Sequence, residues 1–258
     1  MAVTNTGSPQ GCVLSPLLFI VCTDSCRCEK KDSFLVKFSD DTALLSLLQG
    51  DMDDHGNALP AFVSWCDDNH LDLNVSKTKM IFDFRKKKSA CTPCIIYDEA
   101  VEIVDSYKYL GTVFDCRLRW DVNTDVIVKK CQQRLYLLWK LRSFSIDNTI
   151  LSLFYNSFIE SVLTFSFICW FGNLSVHDRT SLNRIVNMCS KIIGITQKDL
   201  YSFWKQQVVR KASGIVIRPE HVLTIEFSLL PSGRRYSVPT CKTNRQKFIY
   251  SFCHSFFE

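Results

Sequence analysis

A chain of 258 residues with 47% apolar and 22% charged residues can build one large packed domain or two small ones, which excludes a disordered chain. The net charge of +5 is mild. Thirteen cysteines are an odd number, and the polar start from Met1 to Gln10 has no basic n-region. Together these argue against a disulfide framework and a secretory leader, and for reduced thiols in an intracellular protein, nuclear or cytoplasmic.

In chain order, Thr6-Gly7-Ser8-Pro9-Gln10-Gly11 reads as a loop, with glycines that let backbone approach a ligand. The apolar run Cys12 to Cys22 is expected to be a buried helix. Val36 to Leu45 is a β-prone run interrupted by Asp40-Asp41, which predicts two short strands with the acids at the bend. That bend is either a solvated turn or, with a hard divalent cation to offset the charge, a metal-binding corner. Gly50 to Gly56 is an acidic loop without the ligand spacing of an EF-hand, and so is read as solvated.

Ala58 to Asn69 has Leu59, Phe62, Val63 and Cys66 at helical spacing, with Asp67, Asp68 and His70 at its exposed end. Lys77-Thr78-Lys79 is a basic turn before a strand over Met80 to Phe84, and Arg85 to Lys88 is a cationic run. Val101 to Val104 and Tyr107 to Phe114 read as two more strands, with a turn at Asp105-Ser106. From Asn123 the pattern turns helical, through Ile150 to Phe171 (a buried helix too interrupted to span a membrane) and Ser175 to Ile193. The tail from Lys198 holds Gly214, Pro219, Pro231, Gly233 and Pro239, and is expected to be irregular. Between Lys205 and Lys247 it has nine basic residues against Glu220 and Glu226, which points to a polyanionic partner.

Four of these segments resemble, in order and spacing, the motifs of reverse transcriptases. Gly7 to Pro16 resembles the PQG-containing motif, and Phe38-Ser39-Asp40-Asp41 the catalytic F/YADD motif with Ser39 in place of Ala. Leu73-Asn74 with Lys77-Thr78-Lys79 is similar to the lysine-bearing motif that follows, and Tyr107-Lys108-Tyr109-Leu110-Gly111 to the motif closing the palm. Lys129 to Tyr136, Leu230 to Tyr236 and Cys241 to Arg245 resemble the thumb helix and carboxyl-terminal region of LINE-type, non-LTR retrotransposon polymerases.

The resemblance implies an α+β chain in three parts. Residues 1–120 would be a partial palm, an antiparallel sheet with helices; residues 121–197 a helical thumb; residues 198–258 a basic carboxyl-terminal region. It implies an RNA-directed DNA polymerase: phosphoryl transfer supported by two Mg2+ ions, with an RNA template, a DNA primer and dNTPs as partners and no membrane. Asp40 and Asp41 take the metal-binding position, and Lys77 the place near the leaving phosphate. Gln10 and Gly11 would lie near the template, and Lys129, Lys130, Arg134, Arg234 and Arg235 would contact nucleic acid.

The family's further metal-binding aspartate lies upstream of the PQG motif, and relatives often carry a Glu after the lysine motif that is missing at Met80. The expectation is therefore a truncated polymerase, inactive by itself. Two other readings compete. One is a non-catalytic nucleic-acid-binding remnant in which Trp120, Trp139, Trp170 and Trp204 stack bases, although tryptophan at helical spacing usually belongs to a core. The other is an iron oxygenase, from His70-Leu71-Asp72 with a second histidine among His177, His221 and His254. An AlkB-type or methyltransferase-associated label would rest on the likeness of Phe154 to Gly194 to the amino-terminal segment of AlkB-type homologues. Cys26-Arg27-Cys28 and Cys91-Thr92-Pro93-Cys94 lack matched partners for zinc and are read as free thiols.

Overall fold

The computed structural model describes residues 11–28, 33–46, 55–81, 93–221, 223–224, 227–232 and 236–237. Gln10, Arg234, Arg235, Arg85 to Lys88, Cys91, Cys241 to Arg245, His254 and most of the 50–56 loop lie outside them. The chain is mixed α and β, and it divides into two compact units: residues 1–80 with 88–104, and residues 81–87 with 105–258.

In the first unit, α1 (Ser15–Cys22) starts at Pro16, whose fixed φ suits a first helical turn. The helix forms as expected, but its predicted burial does not: none of its residues is buried, and Leu17, Leu18, Ile20 and Val21 are all exposed. Strands β1 (Ser33–Phe38) and β2 (Asp41–Ser46) make an antiparallel hairpin. The pleat separates its faces. Leu35 and Leu44 lie on the half-buried face with Ser33, whereas Phe34, Val36, Phe38 and Leu45 are exposed on the other. Lys37 donates to the carbonyls of Thr23 and Cys26, placing a cation at the negative end of α1 and tying helix to hairpin.

Helix α2 (His55–Asp68) turns Ala58, Leu59, Phe62, Val63 and Cys66 inward, and burial pushes the Cys66 thiol up to about 11. Beyond it, β3 (Lys79–Met80) pairs in parallel with β6 (Glu102–Ile103), and β4 (Ile95–Ile96) pairs antiparallel with β5 (Glu99–Ala100). Among the described residues the strands form two-stranded pairs, in place of the one antiparallel sheet expected.

The second unit opens with a hairpin, β7 (Ser106–Tyr109) and β8 (Thr112–Asp115), where a single strand over Tyr107 to Phe114 is predicted. The chain reverses at Leu110-Gly111, whose φ values of 46° and 87° are the paired positive angles of a type I′ hairpin turn. Helix α3 (Asp121–Ser143) buries Ile127, Cys131 and Leu138 against α7 (Val176–Ile193), which buries Leu182, Ile185, Val186, Cys189 and Ile193. The Ser175 hydroxyl caps α7 by accepting the Asp178 N–H, and Gly194 at φ 82° ends it.

Residues 150–171 bury one face, with Leu151, Tyr155, Ile159, Leu163, Phe167, Trp170 and Phe171 in the core, whereas Ile150, Leu153, Phe158 and Phe165 are exposed, and the predicted helix is broken. Helix α4 (Asn148–Phe154) runs into a π turn (Tyr155–Glu160) and α5 (Ser161–Leu163), and α6 (Phe167–Trp170) follows after Ser166 at φ 50°. The Trp170 indole N–H donates to the Phe165 carbonyl freed by the break, at 2.9 Å. Among the described residues no single helix is long and apolar enough to cross a membrane. The bent pair 148–163 and 167–173 has the length and composition for it, but its Leu151, Ile159, Leu163 and Trp170 are the fully buried centre of this unit. The tail is not irregular at its start: α8 (Leu200–Val216) is capped by Asp199 and buries Leu200, Trp204, Val208, Ala212 and Ile215.

Candidate active-site hairpin and nucleic-acid surface

Register places Phe38 opposite Asp41, so Ser39 and Asp40 are the two turn residues. Ser39 takes φ 54°, the left-handed conformation that a tight hairpin turn demands and that costs a residue with a Cβ about 1 kcal/mol. Asp40 and Asp41 are both exposed, so no burial penalty arises for them. Asp41 opens β2 on the face that carries Phe38 and Val36, while Asp40 sits at the apex. A pair of exposed carboxylates is a donor set of the right chemistry for one hard cation whose other ligands are waters and substrate phosphates. Among the described residues no third His, Cys, Asp or Glu joins them to complete a protein cage.

Lys77 lies in a turn organised by Asn74, whose Oδ1 accepts the Ser76 hydroxyl at 2.7 Å and the Lys77 N–H at 3.1 Å. The two lysines of Lys77-Thr78-Lys79 have different fates. Lys79 is held by Glu102 at 2.6 Å and by the Ser76 carbonyl, whereas the Lys77 side chain is exposed and has no ion-pair partner among the described residues. Gly11 has φ 84°, and a Cβ built on it would meet nothing within 4 Å, so backbone conformation and not close packing requires the glycine.

In the second unit, Lys129 and Lys130 are exposed on α3. Arg134 is half-buried, and its guanidinium donates to the Phe158 carbonyl in the π turn, which leaves its remaining N–H groups for any ligand. Beside α3 and the β7–β8 turn lies a cleft of about 230 Å³ lined by Lys108, Lys130, Thr112, Ser161, Asn123 and Phe165. Asn123 is only 3% exposed; its Oδ1 accepts the Val113 N–H at 3.1 Å, and among the described residues its Nδ2 has no hydrogen-bond partner. Lys108 and Lys130 give this cleft a cationic lining that suits an anionic oxygen. Lys108 and Asn123 are absent from the sequence-derived set. Lys108 was within reach, standing inside the Tyr107 to Gly111 motif, but Asn123 joins the cleft only through tertiary packing.

The other readings fare differently. Trp120, Trp170 and Trp204 are 6%, 0% and 3% exposed and belong to the core, whereas Trp139 is 55% exposed on α3. His70 is exposed at φ 54°, and among the described residues neither it nor His177 nor His221 joins a three-ligand group. Among the described cysteines Cys26, Cys66, Cys131 and Cys189 are buried. Burial pushes the Cys131 thiol to about 11 and the Cys189 thiol to about 12, the behaviour of small apolar core residues.

Comparison with known proteins agrees with the motif reading. The family model described as "Reverse transcriptase (RNA-dependent DNA polymerase)" matches residues 2–114. A curated relative, "Probable RNA-directed DNA polymerase from transposon BS" of Drosophila melanogaster, is 27% identical over 152 residues. That match covers 54% of this chain and 17% of the relative, so the chain spans about a sixth of the relative's length. A second family model, "Alkylated DNA repair protein alkB homolog 8, N-terminal", matches residues 120–161. This segment is α3 through the π turn, not the 154–194 stretch to which the sequence reading assigns that likeness. No solved structure matches the chain.

Proposed function

We propose that this chain, whose residues 2–114 are a reverse transcriptase segment, is the catalytic-hairpin and thumb portion of a LINE-type retrotransposon polymerase. In this reading residues 1–120 belong to the palm, 121–197 to the thumb, and 198–258 to a basic carboxyl-terminal region. The observation that carries it is the Asp40-Asp41 hairpin, folded tip and all, inside the matched segment. The partners are an RNA template, a DNA primer and dNTPs. The match to a transposon polymerase and the helical, cationic second unit support the LINE assignment.

Asp40 and Asp41 are the residues that would hold Mg2+. A bound Mg2+ ion supplies positive charge to the oxygens of the reacting phosphate. The chain's own residues do the rest. Exposure of Asp40 at a turn tip leaves its carboxylate oxygens accessible to a hard cation. Lys77, free of the ion pair that occupies Lys79, offers its ammonium to a leaving phosphate. Lys108 and Lys130 form a positive cleft for a backbone phosphate, with Lys129 and part of Arg134 extending that surface along α3.

Two carboxylates are too few to fix a pair of metal ions, and no third joins them among the described residues. In this reading the chain binds primer–template and does not extend it. Incubation with an RNA template, a DNA primer, dNTPs and Mg2+ tests this: binding without primer growth is expected, and growth of the primer would overturn it.

A further inference from the structure

The carboxyl-terminal half of α8 carries a second cationic cleft, of about 250 Å³, lined by Gln207, Arg210, Lys211, Gly214, Arg218 and His221. The helical positions recur at intervals of three and four, which puts Gln207, Arg210, Lys211 and Gly214 in one stripe, and Arg218 joins the lining from just beyond the helix end. Ile215, 1% exposed, and Ile168 of α6 are the apolar residues of its lining. Among the described residues no acidic residue lines the cleft and none of the three cations is in an ion pair. His221 Nδ1 accepts the Leu223 N–H at 3.1 Å, so in the neutral ring the proton sits on Nε2, a donor.

Three like charges around one hollow repel each other, and an anion relieves that repulsion. The carboxyl end of a helix opposes an anion, but only with about half a charge. Here the Thr224 hydroxyl caps part of that end, donating to the carbonyls of Ile215 at 3.3 Å and Arg218 at 2.9 Å. The volume is below the roughly 300–1,000 Å³ that encloses a whole drug-sized molecule, and suits one phosphate of a longer chain.

We infer that this cleft binds a phosphodiester of a nucleic-acid backbone, as an anchor separate from α3 and the β7–β8 turn. The choice of nucleic acid as the polyanion rests on the polymerase reading above; the anion site itself does not. The test is fluorescence anisotropy of the full chain with a labelled single-stranded RNA, an RNA–DNA duplex and a labelled nucleoside triphosphate, each across a chloride series. The triple variant Arg210→Gln, Lys211→Gln, Arg218→Gln should weaken strand binding and flatten the log–log salt slope by about 2 on single strands and about 3 on a duplex.

Gly214→Leu separates binding from folding. A Cβ there meets nothing within 4 Å, and leucine is the better helix former, so the thermal midpoint should hold or rise while strand affinity falls several-fold. Unchanged affinity and slope in both variants overturn the inference. So does a nucleoside triphosphate that outcompetes the strand and is lost in the same variants. A Lys129→Gln, Lys130→Gln variant isolates the two readings: loss of binding there alone leaves the polymerase reading standing and overturns the α8 anchor. Loss in the α8 variants alone supports the anchor and removes α3 as a contact. No strand binding by the unaltered chain overturns both.

Discussion

Replacing Gly111 by alanine challenges the β7–β8 turn on two separable grounds. The first is backbone: at φ 87° a residue with a Cβ costs about 1 kcal/mol. The second is steric, because the new Cβ would lie 2.9 Å from Phe165 Cε1 and 3.2 Å from Cζ. Overpacking costs about 1–3 kcal/mol, and Phe165 is 50% exposed, so its ring can yield and the lower part of that range applies. Gly111→Ala should therefore destabilise the second unit by about 2–3 kcal/mol. In a Phe165→Ala background the steric part disappears and about 1 kcal/mol should remain. Urea unfolding followed by tryptophan fluorescence measures both, since Trp120, Trp139, Trp170 and Trp204 lie in this unit and only Trp65 in the other. Equal costs in the two backgrounds, a coupling under about 0.5 kcal/mol, would refute the contact between turn and ring.

Two further predictions concern the Asp40-Asp41 hairpin and the core. Ser39→Gly removes the strain at φ 54° and should stabilise the first unit by about 0.5–1 kcal/mol, read by amide hydrogen exchange of the β1 and β2 residues; a loss of stability would contradict the turn geometry. The buried thiols give a pH dependence. Burial raises Cys131 from 9.0 to about 11 and Cys189 from 9.0 to about 12, so above pH 9 the unfolded chain releases protons that the folded chain keeps. The stabilisation is complete below pH 9 and is lost as pH rises from there toward 12, which a falling thermal midpoint from pH 8 to 11 would show. Cys131→Ala, Cys189→Ala should flatten that fall.

The parts of the fold legible from residues alone are those where a local signal agreed with packing. The Asp-Asp hairpin was readable because two β-prone runs flank a polar break, and α2 and α7 because their apolar residues keep one helical face. Tyr107 to Phe114 misleads because β-prone residues continue on both sides of Leu110-Gly111, and only the glycine hints at the reversal. Weight on Gly214 and the prolines beyond it hides α8, although Asp199 is a helix cap and Leu200, Trp204, Val208 and Ala212 recur every four residues. The break in residues 150–171 is accompanied by a short-range bond, the Trp170 indole N–H to the Phe165 carbonyl, which the apolar pattern does not announce. The exposure of α1 is likewise decided by what packs against it and not by its own composition.

The candidate site divides along the same line. The motifs marked Asp40, Asp41 and Lys77, and the structure adds that among the described residues Lys77 has no ion-pair partner while Lys79 is held by Glu102. They also marked Lys130 and contain Lys108, but that these two line one cleft with Asn123 came only from the fold. The most direct test of the catalytic reading is primer extension by the purified chain on an RNA template in Mg2+, run beside Asp40→Asn. Salt-sensitive binding of primer–template with no added nucleotide in either protein is the predicted result. Primer growth by the unaltered chain that vanishes in Asp40→Asn would contradict the claim that its two carboxylates do not suffice.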